Sequence, residues 1–300
     1  MSSSVVGTPL KRWFLSLRPY SFTASLMPVA VAVALSLSGS DPILWWTVPF
    51  FALSALLFHA GTNVLNDYYD YRHGVDGPDD EDPTHAITQG TVSPRFMLIS
   101  GHLYFLLGVL VGAPIALERG AWFLLSGIGG ALGAYFYTNA RFSFKYVALG
   151  DLLVFLLMGP ALVVMGVWAL TGGATPAAIY HAVPMALLVT AILHGNNLRN
   201  IENDSEAGIR TVATLLGEKR ARLLFDLLLF LPFLLLPLLI LTRIAPITLL
   251  LPLPALIPAI RLSRIVHRRE DIMLLPKQTA QLHLLFTLLY VGAVLLGRLL

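Results

Sequence analysis

The chain has 300 residues, 56% of them hydrophobic and only 12% charged, with a mean hydropathy of +0.75. That charged share is about half of a soluble domain's, so the chain is expected to form one membrane unit over residues 1–300, with no separate soluble domain. The lack of cysteine excludes disulfides, thiolate metal sites and cysteine nucleophiles, and the net charge of +3 reads as an orientation signal and not a nucleic-acid footprint, because Lys and Arg sit between apolar runs.

Residues 1–19 carry Lys11, Arg12 and Arg18 just before an apolar run and lack a small-residue cleavage site, so they read as a retained cytoplasmic tail. Runs of spanning length follow at 20–39, 43–66, 95–117, 121–138, 147–171, 178–198, 222–242, 246–266 and 281–299. They are continuously apolar and do not alternate, which favours helices over barrel strands. The predicted fold is an all-α polytopic membrane protein with nine transmembrane helices. With the N-terminus inside, all of the 20 Lys and Arg except Arg119, Arg243 and Arg298 fall on that side, which fixes the orientation by the positive-inside rule. In a bacterial cell this means the inner membrane. Pro246, Pro252, Pro254 and Pro258 are expected to make the eighth span irregular, with a lateral opening for lipid substrates beside it.

The acidic residues gather in two inside loops, 67–94 and 199–221, which follow the second and sixth spans. That placement suggests a weak duplication of a four-helix unit with a ninth helix added. In the first cluster Asn63, Asn66 and Asp70 stand at i, i+3 and i+7, so their oxygens share one helix face. Gly74 is expected to end that helix and let Asp76 fold back toward it. In the second cluster Asn197, Asn200 and Asp204 repeat the spacing. Asp79 to Asp82 read as solvated loop charge. Paired Asn could cap a helix end, but capping does not need the same spacing twice.

Two faces with only oxygen ligands suit a hard cation such as Mg2+. Were a polyanion to bind there, a metal would be needed: a carboxylate and a phosphate charge about 4 Å apart repel by roughly 4 kcal/mol at an effective dielectric of 20.

Four motifs in chain order resemble the UbiA superfamily of intramembrane prenyltransferases, and within it the MenA-like branch that prenylates 1,4-dihydroxy-2-naphthoate, together with its animal menaquinone-forming relatives. They are Leu17-Arg18-Pro19-Tyr20-Ser21-Phe22; Asn66-Asp67-Tyr68-Tyr69-Asp70 with Gly74 and Asp76; Tyr137-Thr138 with Phe144-Lys145-Tyr146-Val147-Ala148-Leu149-Gly150-Asp151-Leu152; and Ile192-Leu193-His194-Gly195-Asn196-Asn197-Leu198-Arg199 with Asp204 and Gly208. They cover residues 17–217; the last three spans match in apolarity alone. The resemblance implies nine helices around a central cavity, with Mg2+ and an isoprenyl diphosphate held by both acidic motifs. Asn66, Asp70, Asp76 and Asp204 match metal-binding positions, and Asn200 stands where the family usually has Asp.

The function implied is Mg2+-dependent transfer of an isoprenyl chain to an aromatic acceptor. Dihydroxynaphthoate is the expected acceptor, with 4-hydroxybenzoate, homogentisate or another lipid-quinone precursor as alternatives. Asn63, Lys145, Asn197 and Arg199 are the expected diphosphate contacts. Tyr137 would steady the allylic cation or orient the acceptor, and Asp151 would orient Lys145 or act as a base. Asp70, Asp204, Lys145, Asp151 and Tyr137 form the expected catalytic set. His59 and His194 lie within spans and read as helix-to-helix hydrogen-bonding residues. The expected partners are the two substrates and the bilayer, with no nucleic acid and no obligate protein partner.

A secondary transporter would also use broken helices and membrane carboxylates, but these carboxylates cluster at one face with almost none at mid-depth. A phosphatidyltransferase would carry an Asp-Gly-x2-Ala-Arg pattern, which is absent.

Overall fold

The computed structural model describes residues 9–75, 86–139, 143–269 and 271–300. A short helix α1 (Pro9–Ser16) leads through the 3-10 turn Pro19–Phe22 into α2 (Thr23–Ser38), followed by α3 (Thr47–Arg72), α4 (Pro94–Arg119) and α5 (Ala121–Phe136). Helix α6 (Gly150–Leu156) runs through a π turn at Leu157–Ala161 into α7 (Leu162–Thr171). Then come α8 (Pro176–Arg199), α9 (Ile201–Glu206), α10 (Val212–Leu216), α11 (Glu218–Leu241), α12 (Leu256–Arg268) and α13 (Leu275–Leu299). Among the described residues there is no strand, only one isolated bridge between Val147 and Arg210.

Eight helical segments are long and apolar enough to cross a membrane. The ninth expected span is α5, whose 16 residues rise about 24 Å, short of a hydrocarbon core of about 30 Å. Two expected loops are more ordered than the sequence suggested: the tail contains α1, and the segment 199–221 folds into α9, α10 and the start of α11. As expected, α3 runs on through residues 67–72 and stops before the left-handed Gly74. Hydropathy falls off before the helices end, because polar residues can keep a helix going once its backbone bonds are satisfied outside the apolar zone. The proline-rich eighth span is irregular: two 3-10 turns, Ile247–Leu250 and Leu253–Ala255, precede α12.

Helix α8 is buried around most of its circumference and packs on α6, α11 and α13. Small residues permit close approach: a Cβ on Gly159 would lie 2.2 Å from Ala186 Cβ, and one on Gly101 would lie 2.6 Å from the Leu65 side chain. At the far end, Arg119 ties α4 to α7 by donating to the carbonyls of Ala169 (3.0 Å) and Leu170 (2.9 Å), which α7 leaves unbonded at its C-terminus.

Candidate active site

Both acidic segments end their helices in the same way. The Val75 N–H donates to the Asp70 carbonyl (2.9 Å) with Gly74 at φ 70°, and the Ile209 N–H donates to the Asp204 carbonyl (2.8 Å) with Gly208 at φ 70°. In each, a left-handed glycine four residues after the Asp reverses the chain, and the Asp is held in the last helical turn. Asp70 and Asp204 are both buried, at 3% and 4% exposure.

The last turns of α3 build one wall. Asn63 donates to the Leu17 carbonyl (2.8 Å), which pins the start of the 3-10 turn against α3. Asn66 Nδ2 donates to Asp70 Oδ2 (2.7 Å), as the spacing i, i+4 allows. The segment 143–149 folds back on the end of α5, where the Lys145 N–H donates to the Tyr137 carbonyl (3.0 Å) and Ser143 Oγ to the same oxygen (2.9 Å). This delivers the Lys145 ammonium to Asp70 Oδ2 (2.6 Å) and Asn66 Oδ1 (3.2 Å), while the Tyr146 hydroxyl donates to Asp70 Oδ1 (2.6 Å). Ala148, in the same segment, holds φ 59°, a conformation costly for a residue with a Cβ.

The second wall is the end of α8 and α9. Arg199 donates from Nε to Asn200 Oδ1 (3.0 Å) and from Nη2 to Asn196 Oδ1 (2.9 Å). The bridge between Val147 and Arg210 ties this wall to the Lys145 segment. The walls feel one another's charge. Burial pushes the Asp204 carboxyl up to about 6; Lys145 pulls it down, Asp70 raises it further and Arg199 lowers it. Burial alone would lower the Lys145 ammonium, but the Asp70 carboxylate outweighs that and holds it above its ordinary value.

Between the walls lies a cavity of about 120 Å3, lined in its polar part by Arg18, Asn63, Asn66, Tyr137, Lys145 and Asn196. It adjoins an apolar cavity of about 480 Å3 among α3, α4, α5 and α7, and His59, Ala134, Leu157 and Met158 line both. His59 sits at this junction between Ser21 Oγ (3.2 Å) and Ser25 Oγ (2.8 Å).

Residues 25–285 match the UbiA prenyltransferase family. The chain belongs to that family. It is 36% identical over 291 residues to UbiA prenyltransferase domain-containing protein 1 of Homo sapiens, covering 95% of this chain and 83% of the relative, and 34% identical to the Drosophila melanogaster homologue, covering 97% and 81%. Among solved structures, a UbiA homologue from Archaeoglobus fulgidus bound to GPP and Mg2+ superposes with a TM-score of 0.67 at 18% identity, covering 95% of this chain and 99% of that one. A UbiA homologue from Aeropyrum pernix K1 gives 0.69 at 16% identity, covering 93% and 98%. At such identities these two likenesses speak for the fold. The relatives place the chain in the UbiA superfamily and do not single out its MenA-like branch.

In this UbiA-family chain Asn63, Asn66, Asp70, Tyr137 and Lys145 come together around the polar cavity or its rim, with Asn200 and Asp204 on the facing wall. Asp76 and Asp79 to Asp82 lie outside the described residues. Two expectations are corrected. Asn197 does not line the cavity: its Nδ2 donates to Asp151 Oδ1 (3.2 Å), and Asn196 lines the cavity instead. Adjacent residues on a helix point about 100° apart, so only one of the pair can face inward. Asp151 does not reach Lys145; its Oδ2 lies 2.7 Å from His194 Nδ1, and His194 Nε2 donates to the Ala221 carbonyl (2.9 Å). Asp151 is thereby engaged, through His194, in joining α6 to α8 and α11.

The helix does not run straight through the second motif, since Asn200 (φ −99°, ψ 11°) separates α8 from α9. Residues the spacing argument missed are Arg18, whose Nη2 donates to Asp67 Oδ1 (2.7 Å), and Tyr146 and Asn196. Each lies within or beside a recognised motif, which was the only signal they gave. The large apolar cavity lies on the side of α4 and α5.

Proposed function

We propose that this chain transfers an isoprenyl group from an allylic isoprenyl diphosphate to an aromatic acceptor in a Mg2+-dependent reaction, with the diphosphate in the polar cavity and the prenyl chain in the apolar one. The observation that carries this reading is the Lys145 ammonium, bonded to Asp70 (2.6 Å) and close enough to Asp204 to act on its charge, lining a polar cavity that adjoins a greasy one.

The donor set fits the metal. Asn66, Asp70, Asn200 and Asp204 offer only oxygen, the donor hard cations take. A hard cation held by so few protein oxygens keeps positions for phosphate oxygens and water. Bound Mg2+ supplies charge neutralisation of the leaving diphosphate. The GPP and Mg2+ in the A. fulgidus homologue support the same assignment here.

The rest is done by the chain's own residues. Lys145, Arg18 and Arg199 bring fixed positive charge to the diphosphate oxygens as the allylic C–O bond breaks and its electron pair leaves with the diphosphate. Tyr137, on the cavity wall, presents an aromatic ring to the cationic carbon. A ring carbon of the acceptor then forms the new C–C bond and releases its proton. Leu153, Leu157 and Met158 exclude water that would turn the cation into an alcohol. Asp151, His194 and Asn197 hold α6 and α8 in register behind these groups. The motif-bearing face is the cytoplasmic one, and the acceptor to test first is 1,4-dihydroxy-2-naphthoate, followed by 4-hydroxybenzoate and homogentisate.

The test is Asp70→Asn and Asp204→Asn in membranes given labelled geranylgeranyl or farnesyl diphosphate, Mg2+ and that acceptor panel. Each variant should lose transfer by about 100-fold or more while keeping its helical content. Full activity in both would end the enzyme reading.

A further inference from the structure

We infer that the lipid-facing side of α12 is a docking site for anionic phospholipid headgroups, built from Arg261, Arg264 and Arg268. The three stand at i, i+3 and i+7, so they form one stripe down a single helix face. The opposite face, with Ala259, Leu262, Ile265 and Val266, is buried against the protein. All three arginines are exposed, and the same outward face carries exposed Ile257 (75%) and Ile260 (42%) one turn deeper. The outward surface thus changes along its length from aliphatic to cationic. That is the profile of a helix leaving hydrocarbon for a charged surface.

The dimensions favour an anionic partner. Arg261 to Arg268 covers seven residues, about 10 Å of rise. The headgroup zone of one leaflet is only about 5–8 Å thick. With Arg268 at its outer edge, Arg261 lies at or below the hydrocarbon boundary and must reach back to the phosphates, since an uncompensated guanidinium in hydrocarbon is costly.

Among the described residues the nearby carboxylates pair elsewhere. Asp226 pairs with His267 (2.7 Å), and Glu218 pairs with both Arg222 and Arg269, while Glu202 takes Arg269 as well (3.3 Å). Among the described residues no carboxylate forms an ion pair with Arg261, Arg264 or Arg268. The neighbouring surface extends the patch: Met273 and Leu274 are exposed apolar residues (54% and 48%), and Lys277 is exposed at the start of α13. Because Arg269 bonds Glu202 of α9, a lipid held along α12 also steadies the end of the helix pair that carries the second acidic motif.

The experiment titrates full-length protein in detergent with phosphatidylglycerol or with phosphatidylcholine of the same acyl chains, and reads retained lipid by native mass spectrometry. Phosphatidylglycerol should be held roughly 100-fold more tightly, from about 1 kcal/mol per arginine at an anionic surface. The preference should disappear in Arg261→Gln/Arg264→Gln/Arg268→Gln, shrink about fivefold in Arg264→Gln alone, weaken with added salt, and persist in Arg298→Gln at the other end of α13. Equal retention of both lipids by the unaltered protein would overturn the inference. So would a preference that survives in the triple variant, or binding of a polyglutamate peptide in place of the lipid.

Discussion

The contact between Lys145 and Asp70 is the most heavily loaded in the site, and replacing Lys145 with Met isolates what it does. At 2.6 Å the two charges attract by about 6 kcal/mol at an effective dielectric of 20. Most of that offsets the cost of taking both groups out of water, so the attraction is not the net contribution. Lys145→Met removes the partner and leaves the Asp70 carboxylate buried with only Asn66 Nδ2 and the Tyr146 hydroxyl to satisfy it. Breaking a buried pair in this way costs about 3–5 kcal/mol, and the two surviving bonds favour the lower end. Removing the orphaned charge as well, in Asp70→Asn/Lys145→Met, should recover about 2–3 kcal/mol of that loss, because Asn and Met leave no ion in the pocket. Chemical denaturation in detergent, followed by tryptophan fluorescence in metal-free buffer for all four corners of the cycle, measures the coupling. If the two single losses add to within about 0.5 kcal/mol of the double, the groups are not coupled and the electrostatic account of the site is wrong.

Three further outcomes follow from neighbouring residues. Asn200→Asp should lower the Mg2+ concentration for half-maximal rate by about tenfold, since the added carboxylate raises the charge of the ligand set; an unchanged titration would remove Asn200 from it. The raised Asp204 carboxyl, at about 6, means the folded apo-protein holds a proton that the unfolded chain has already released. Apo stability should therefore fall as pH rises from about 4 to about 6, and the Mg2+ requirement should climb about tenfold per pH unit below 6. Asp204→Asn should flatten both profiles. Finally, Gly127 lines the apolar cavity and a Cβ there meets nothing within 4 Å, so Gly127→Leu should fold normally. It should raise KM for a long-chain allylic diphosphate by about tenfold while leaving dimethylallyl diphosphate unaffected. Equal effects on both would place the prenyl chain elsewhere.

The helix phase of the first motif was legible because Asn63, Asn66 and Asp70 lie on one unbroken helix. Asn63, Asn66 and Asp70 share a face of α3 for the same reason that any i, i+3, i+7 set does, and no tertiary contact is needed to say so. The second motif was only half legible. Asn196 and Asn197 are chemically identical neighbours on a helix buried nearly all round, so nothing in the sequence says which turns to the cavity and which to Asp151. The break at Asn200 further weakens a spacing argument that assumes a straight helix.

By itself, the amino-acid sequence determined that this is a helical membrane protein with two oxygen-rich segments, since apolar run length and residue type are properties of the chain. The tertiary structure alone decided that Lys145, 75 residues beyond Asp70 and on no regular element, completes the first segment. It also decided that Asp151 answers to His194, and that the greasy chamber lies beside α4 and α5. The physical reason is the same in each case. Helix phase is fixed by neighbours three and four residues away, whereas ion pairs and voids are fixed by which helices pack side by side, and that depends on small residues such as Gly101 and Gly159 whose partners lie far along the chain.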